Sequence, residues 1–159
     1  MSDGAVTGIL NYLRIDAALA TSGQPSVDEL GAVAADGTEV VINLALHDDP
    51  RYSLPDEAGT VSALGMTYVH IPVKFDAPME SDLFAFFDAM ERHRGRKLYV
   101  HCAANKRVSA FLGLYRVIRE GWDADRAFAP MHEIWEPNAA WAPFIEAMLE
   151  KHGQGKSLG

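Results

Sequence analysis

Short runs of apolar and β-branched residues alternate along the chain with longer segments in which apolar residues recur every three or four positions. Three of these runs, EVVINLAL, MTYVHIPV and KLYVHC, have the length and composition of strands that are buried on both faces of a sheet. The segments between them have helical spacing. One of them begins at a capping box formed by Ser26 and Glu29. Strands that alternate with helices through short connections predict βαβ units and a parallel sheet.

The predicted fold is therefore three-layer α/β, with a mostly parallel sheet of four or five strands, helices on both faces and a helical C-terminal end. A short first strand is expected around Asn11–Ile15, and Ser81 is expected to cap a helix that ends at Gly95. A last helix is expected from Pro137 to about Lys151. Residues 7–151 are expected to form a single domain, with flexible tails at 1–6 and 152–159.

Composition supports one globular domain and narrows its partners. The chain has 159 residues, of which 48% are apolar and 23% charged. Its 14 Lys and Arg against 22 Asp and Glu give a net charge of −8, which argues against binding to nucleic acid or to an anionic membrane. A local anion site stays compatible with this charge, because backbone N–H groups can bind phosphate.

Location and cysteine content set further expectations. The start MSDGAVTG has neither the basic nor the apolar region of a signal peptide, and no apolar run approaches the length of a membrane span, so a cytoplasmic protein is expected. The single cysteine, Cys102, excludes an intramolecular disulfide and zinc sites that need several thiolates.

The most informative stretch is KLYVHCAANKRVSAFLGLYRV, where Cys102 ends an apolar strand and a short loop leads into a helix. A helix N-terminus offers unpaired N–H groups and partial positive charge, so a thiol placed there is more acidic than usual and can share the site with a phosphate. This pattern indicates a thiolate nucleophile beside an anion cradle. A buried structural cysteine is the alternative.

The residues around Cys102 resemble the signature of cysteine-dependent protein phosphatases of the tyrosine and dual-specificity kind. That signature is His-Cys, five residues with a central Gly, then Arg and Ser or Thr; here His101-Cys102 is followed after five positions by Val108-Ser109. Upstream, SGQPS, VINL and Y-x-x-I-P-V are similar to segments of small bacterial phosphatase-like domains. The resemblance covers about residues 20–120.

The resemblance implies a role for each matching residue. Cys102 would be the nucleophile that forms a phosphocysteine intermediate, and His101 would orient the loop by hydrogen bonds and help hold the thiolate. Ser109 would donate to the thiolate or assist the hydrolysis, and Asp76 would be the general acid. The phosphate would be bound by the loop residues Ala103, Ala104, Asn105, Lys106, Arg107 and Val108. The substrate would be a phosphate ester, carried by a phosphorylated protein or a small molecule, and no metal or organic cofactor would be needed.

Two positions depart from the family pattern. Asn105 replaces the central Gly, and Asn is the next most tolerant residue for the positive φ that the loop needs. Val108 stands where the family has its phosphate-binding arginine, and an arginine occurs one residue earlier, at Arg107. On a regular helix start Arg107 would point away from the phosphate, whereas a loop shorter by one residue would bring it there but move Ser109 out of register.

Three functions follow from this loop. The first is a phosphatase that hydrolyses phosphotyrosine or has dual specificity. The second is an inactive phosphatase-like module that binds phosphate or a phosphorylated partner. The third is a thiol-based redox or sulfurtransferase-type protein.

Overall fold

The central sheet has five strands, four of them parallel. The computed structural model describes residues 6–46 and 53–153. The strands are β1 Leu13–Asp16, β2 Leu19–Ser22, β3 Val40–Asn43, β4 Thr67–His70 and β5 Leu98–His101. Their order across the sheet is β1-β2-β5-β3-β4, and only the β1–β2 pair is antiparallel.

Helices cover both faces of this sheet. In chain order they are α1 Val27–Ala35, α2 Glu57–Ala63, α3 Glu80–Arg92, α4 Lys106–Ile118, α5 Ala124–Ile134 and α6 Trp141–Met148, followed by a π-helical turn at Leu149–Gly153. Within the described residues, no helix has both the length and the apolar character that a membrane crossing requires.

Alternating strand residues divide the core into two layers. Val41 and Tyr99 pack with α1 and α2, whereas Ile42 and Val100 pack with the helices that follow β4. The period-two alternation of strand side chains places these neighbours on opposite faces of the sheet. This arrangement confirms the predicted three-layer α/β fold with a helical C-terminal end.

Three local predictions differ from the structure. The strand β2 was not predicted, because LATS is short, carries two hydroxyl residues and runs directly into the turn-forming SGQP. Ser81 does not cap α3; the helix begins at Glu80, and its N-cap Met79 makes no side-chain hydrogen bond. The last helix begins at Trp141 rather than at Pro137, because Asn138 Oδ1 accepts from the N–H groups of the turn at 140 and 141.

The carboxyl ends of the parallel strands meet at one edge. The register aligns Ser22, His101, Asn43 and His70 in a row across β2, β5, β3 and β4. Ligands of open parallel sheets bind beyond this edge. Cys102 follows the central strand of the row and therefore lies where a site is expected. The predicted tails lie mostly outside the described residues.

Candidate active site

The loop after β5 joins the central strand to α4 in four residues, Cys102–Asn105. Cys102 is a free thiol and is only 1% exposed. Asn105 is the N-cap of α4 and has a φ of +65°, so the backbone adopts the left-handed conformation that was expected at this position. α4 begins directly afterwards, at Lys106.

The segment before α1 fixes this loop in place. Asn105 Nδ2 donates to the carbonyl of Asn11 at 2.9 Å and to Thr21 Oγ1 at 3.0 Å, and Asn11 Nδ2 donates to the carbonyl of Ala104 at 2.9 Å. Gly23 lies so close that a Cβ there would be 2.5 Å from the carbonyl oxygen of residue 103. The residues from Asn11 to Gly23 therefore contact the loop and hold its backbone in place.

Replacing Asn105 by alanine should lower the free energy of unfolding by about 2–4 kcal/mol, because alanine is strained at positive φ and both side-chain hydrogen bonds are lost. Asn105→Gly should cost less, since it loses the hydrogen bonds without the strain. Denaturant unfolding of the two variants measures the difference. Equal losses would show that the left-handed conformation at this position contributes nothing to the stability.

Arg107 lines a pocket of about 340 Å³ together with Cys102, Ala103, Ala104 and Lys106. Its side chain is 8% exposed, and Nη1 donates to the carbonyl of Val73 at 2.8 Å. Nε is buried and has no hydrogen-bond partner among the described residues. The loop is thus the shorter of the two alternatives: four residues separate the cysteine from the arginine, and the arginine faces the same pocket as the thiol.

The next two residues lie away from the pocket. Val108 is fully buried in the core between the sheet and the helices. Its side chain therefore neither binds phosphate nor lines the pocket. The hydroxyl of Ser109 donates to the carbonyl of Lys106 at 3.0 Å. Its proton is committed to the first turn of α4, so Ser109 does not donate to the thiolate in this arrangement.

Aromatic side chains form one wall of the site. Phe75 lines the pocket, and its ring lies 5.6 Å from Trp135 and 6.2 Å from Trp141. Trp141 Nε1 donates to the carbonyl of Phe75 at 2.6 Å, which ties the loop after β4 to α6. Lys106 Nζ lies 5.8 Å and 5.7 Å from the ring centres of Phe75 and Trp135, within the range of cation–π attraction.

Asp76 follows Phe75 in a turn and is exposed. It is not among the residues that line the pocket, although its neighbour Phe75 is. The hydrogen bonds that Val73 and Phe75 accept from Arg107 and Trp141 fix the backbone on the N-terminal side of Asp76. Asp76 therefore lies on a solvent-facing turn, one residue beyond the pocket-lining Phe75.

A buried acid–base pair lies beneath the loop. His101 and Glu57 are both fully buried, and His101 Nε2 lies 2.5 Å from Glu57 Oε2. The other ring nitrogen, Nδ1, lies 3.2 Å from the carbonyl oxygen of Cys102. Gln24 Nε2 donates to Glu57 Oε1 at 2.9 Å. The sequence indicated His101 but missed Glu57, because an acidic residue in the first turn of a helix is too common to single out.

Comparisons with known proteins agree with this geometry. The family model described as "DSP-PTPase phosphatase fused to NAD+ Kinase" matches residues 9–140. The structure of a DUF442 protein of Shewanella putrefaciens CN-32, described as a candidate phosphatase, shares 31% identity at a TM-score of 0.83 and covers 94% of this chain and 98% of that one. No curated protein sequence matches the chain.

Two more distant structures share the fold. The active form of Tk-PTP has 22% identity and a TM-score of 0.71, and the match covers 91% of this chain and 97% of that chain. TpbA of P. aeruginosa, solved in complex with phosphotyrosine, has 16% identity and a TM-score of 0.67, over 94% and 89% of the two chains.

The fold and the thiol–arginine pocket define a cysteine-dependent phosphatase-like protein of the tyrosine and dual-specificity class, as the His-Cys turn predicted. Because the family model spans most of the chain, the chain belongs to the family of DSP-PTPase phosphatases described as fused to NAD+ kinase. The binding-module and thiol-redox alternatives are not favoured by these relatives.

Proposed function

We propose that the protein hydrolyses phosphate monoesters through a phosphocysteine intermediate on Cys102. The observation that carries this proposal is the single pocket at the start of α4 that Cys102 and Arg107 both line. Arg107 is anchored through Nη1 and has a buried Nε without a partner among the described residues, so donors remain for phosphate oxygens. The unpaired N–H groups of the first turn add to the cradle.

The chemistry proceeds in two displacements. The Cys102 thiolate attacks phosphorus as the P–O bond to the leaving group breaks, and Asp76 gives its proton to the departing oxygen. The free alcohol or phenol leaves, and the phosphoryl group stays on sulfur. Water then attacks phosphorus and gives a proton to the Asp76 carboxylate, the P–S bond breaks, and inorganic phosphate and the thiolate are released. Arg107 stabilises the charge on the phosphoryl oxygens in both transition states.

The pocket favours an aryl leaving group. Phe75 lines the pocket together with Cys102, and its ring packs against Trp135, so an aromatic substrate can stack on Phe75 from the pocket side. Phosphotyrosine, the ligand of TpbA in its complex, has this chemistry. We therefore infer that phosphotyrosine and other aryl phosphates are better substrates than alkyl phosphates.

Hydrolysis of para-nitrophenyl phosphate by the reduced protein, with acid quenching to trap the phosphoenzyme, tests the proposal. We expect turnover, and phosphate that stays bound to the peptide containing Cys102. Asp76→Asn should slow poor leaving groups, such as phosphotyrosine, more than para-nitrophenol, since only poor leaving groups need the proton. Absence of both turnover and trapped phosphate would overturn the proposed activity.

A further inference from the structure

The hydrogen bonds of the buried pair His101 and Glu57 determine how many protons the two side chains share. A carbonyl oxygen can only accept a hydrogen bond, so the 3.2 Å contact with the carbonyl of Cys102 requires a proton on His101 Nδ1. The 2.5 Å contact between His101 Nε2 and Glu57 Oε2 requires a second proton. The imidazole and the carboxyl group therefore share two protons, and either His101 is an imidazolium or Glu57 is a neutral acid.

Two features place the second proton on His101. Gln24 Nε2 donates to Glu57 Oε1, and a hydrogen bond from a donor favours the ionised carboxylate. An ordinary carboxyl group is also about two pH units more acidic than an ordinary imidazole. Burial opposes a lone charge, but the two opposite charges here are in direct contact and the remaining polar atoms of the imidazole are satisfied.

We propose, on the basis of the phosphatase function proposed above, that Glu57 is a positioning residue that keeps His101 doubly protonated. The imidazolium then has two effects on the loop. Its Nδ1–H holds the carbonyl of Cys102, which fixes the first peptide of the loop. Its positive charge, carried by the residue next to the nucleophile, stabilises the thiolate, while the carboxylate lies on the far side of the ring.

Other titratable groups face the two parts of this arrangement. Tyr68 lies near Glu57; burial first, and then the negative charge of Glu57, raise its pKa to about 12, so the phenol stays neutral. His70 stacks on Tyr68 and contacts the carbonyl of Ala45. On the pocket side, Lys106 and Arg107 carry positive charge. These groups are present in every variant compared below, so a change at Glu57 isolates the charge of the pair.

The substitution Glu57→Gln separates charge from shape. The amide has the size of the carboxylate, its oxygen can accept from Gln24, and its NH2 can donate to Nε2 of a neutral His101 that keeps the proton on Nδ1. The hydrogen bonds to Gln24 and His101 are therefore retained, while the ion pair with His101 is lost. Glu80→Gln is the matched control, because Glu80 Oε2 also lies 2.5 Å from a histidine, His152, on the C-terminal turn.

Nitrogen-15 NMR of His101 tests the proposal without any substitution. Both ring nitrogens of the wild-type protein should have the chemical shifts of an imidazolium from pH 6 to pH 8, a window chosen to span the ordinary imidazole range, about pH 6.5. In Glu57→Gln, Nε2 should move to the shift of an unprotonated nitrogen while Nδ1 stays protonated. An unprotonated Nε2 in the wild type would overturn the proposal.

Alkylation by iodoacetamide gives a second measurement, and it reports on one site because Cys102 is the only cysteine. The pH at which the alkylation rate is half-maximal should rise by about one unit in Glu57→Gln and stay unchanged in Glu80→Gln. An unchanged midpoint in Glu57→Gln would show that the pair acts by shape alone and would overturn the proposal. Both measurements are independent of hydrolysis, so they can succeed where the proposed phosphatase activity fails, or the reverse.

Discussion

Cys102→Ser should lower the turnover of para-nitrophenyl phosphate by about 10⁴-fold or more, to the background of the assay. A serine hydroxyl at the same place is protonated at neutral pH and is a weak nucleophile without an adjacent base. The described groups around the pocket supply positive charge and apolar surface rather than such a base. Initial rates at saturating substrate measure the loss.

The serine variant should still bind the anion. Arg107 and the first turn of α4 are unchanged, so inorganic phosphate should raise the melting temperature of Cys102→Ser about as much as that of the wild type. A combination of lost turnover and retained binding assigns the thiol to the chemical step. Turnover that survives in Cys102→Ser would show that the nucleophile lies elsewhere, and the phosphocysteine mechanism would be rejected.

The fold was predictable because its signals are local. The runs that became β3, β4 and β5 are apolar over four to eight residues, and the capping box at Ser26 is complete within four positions. Patterns of this length report the element that contains them. The strand β2 lacks such a pattern, and it exists because its backbone pairs with β1 on one side and β5 on the other. The pairing of β2 with β5 joins residues about eighty positions apart in the sequence, such as Leu19 and Leu98.

The residues of the candidate site also differ in whether a local sequence pattern predicts them. Cys102 could be found from the sequence, since a cysteine between an apolar strand and a helical segment is a local pattern. The position of Arg107 could not, because it depends on where α4 begins after the left-handed residue Asn105 and on a carbonyl that Val73 supplies from another strand connection. Glu57 and His101 are 44 positions apart in the sequence, and no spacing of residues in the sequence predicts their contact.

The shorter loop also explains why the side chain of Val108 is buried and why the hydroxyl of Ser109 does not donate to the thiol. Because the arginine occurs one position earlier, each residue that follows it is rotated by about 100° around the helix axis, relative to the arrangement that the family pattern implies. Val108 then points into the core, and the hydroxyl of Ser109 bonds within the helix. A motif match therefore indicates where the nucleophile is expected, whereas a role for a residue beyond the loop can be proposed only once the backbone is known.

Arg107→Ala should lower kcat/KM for para-nitrophenyl phosphate by about 10³-fold, because the guanidinium is the group that can bind two phosphoryl oxygens at once in the transition state. Arg107→Lys should lose about 10²-fold, since an ammonium keeps the charge but not the planar fork. A loss in both variants would support the proposal that the phosphate binds between Cys102 and Arg107, which line the same pocket.

The control for this series is Arg119→Ala, which removes an exposed arginine from the end of the same helix, where it pairs with Glu91. Its kcat/KM should stay within about twofold of the wild type, because exposed ion pairs contribute little. Arg107 also donates to Val73, so melting temperatures must show that the Arg107 variants are folded at the assay temperature. A folded Arg107→Ala variant with wild-type kcat/KM would contradict this prediction. It would mean that the backbone N–H groups of α4 bind the phosphate without this arginine.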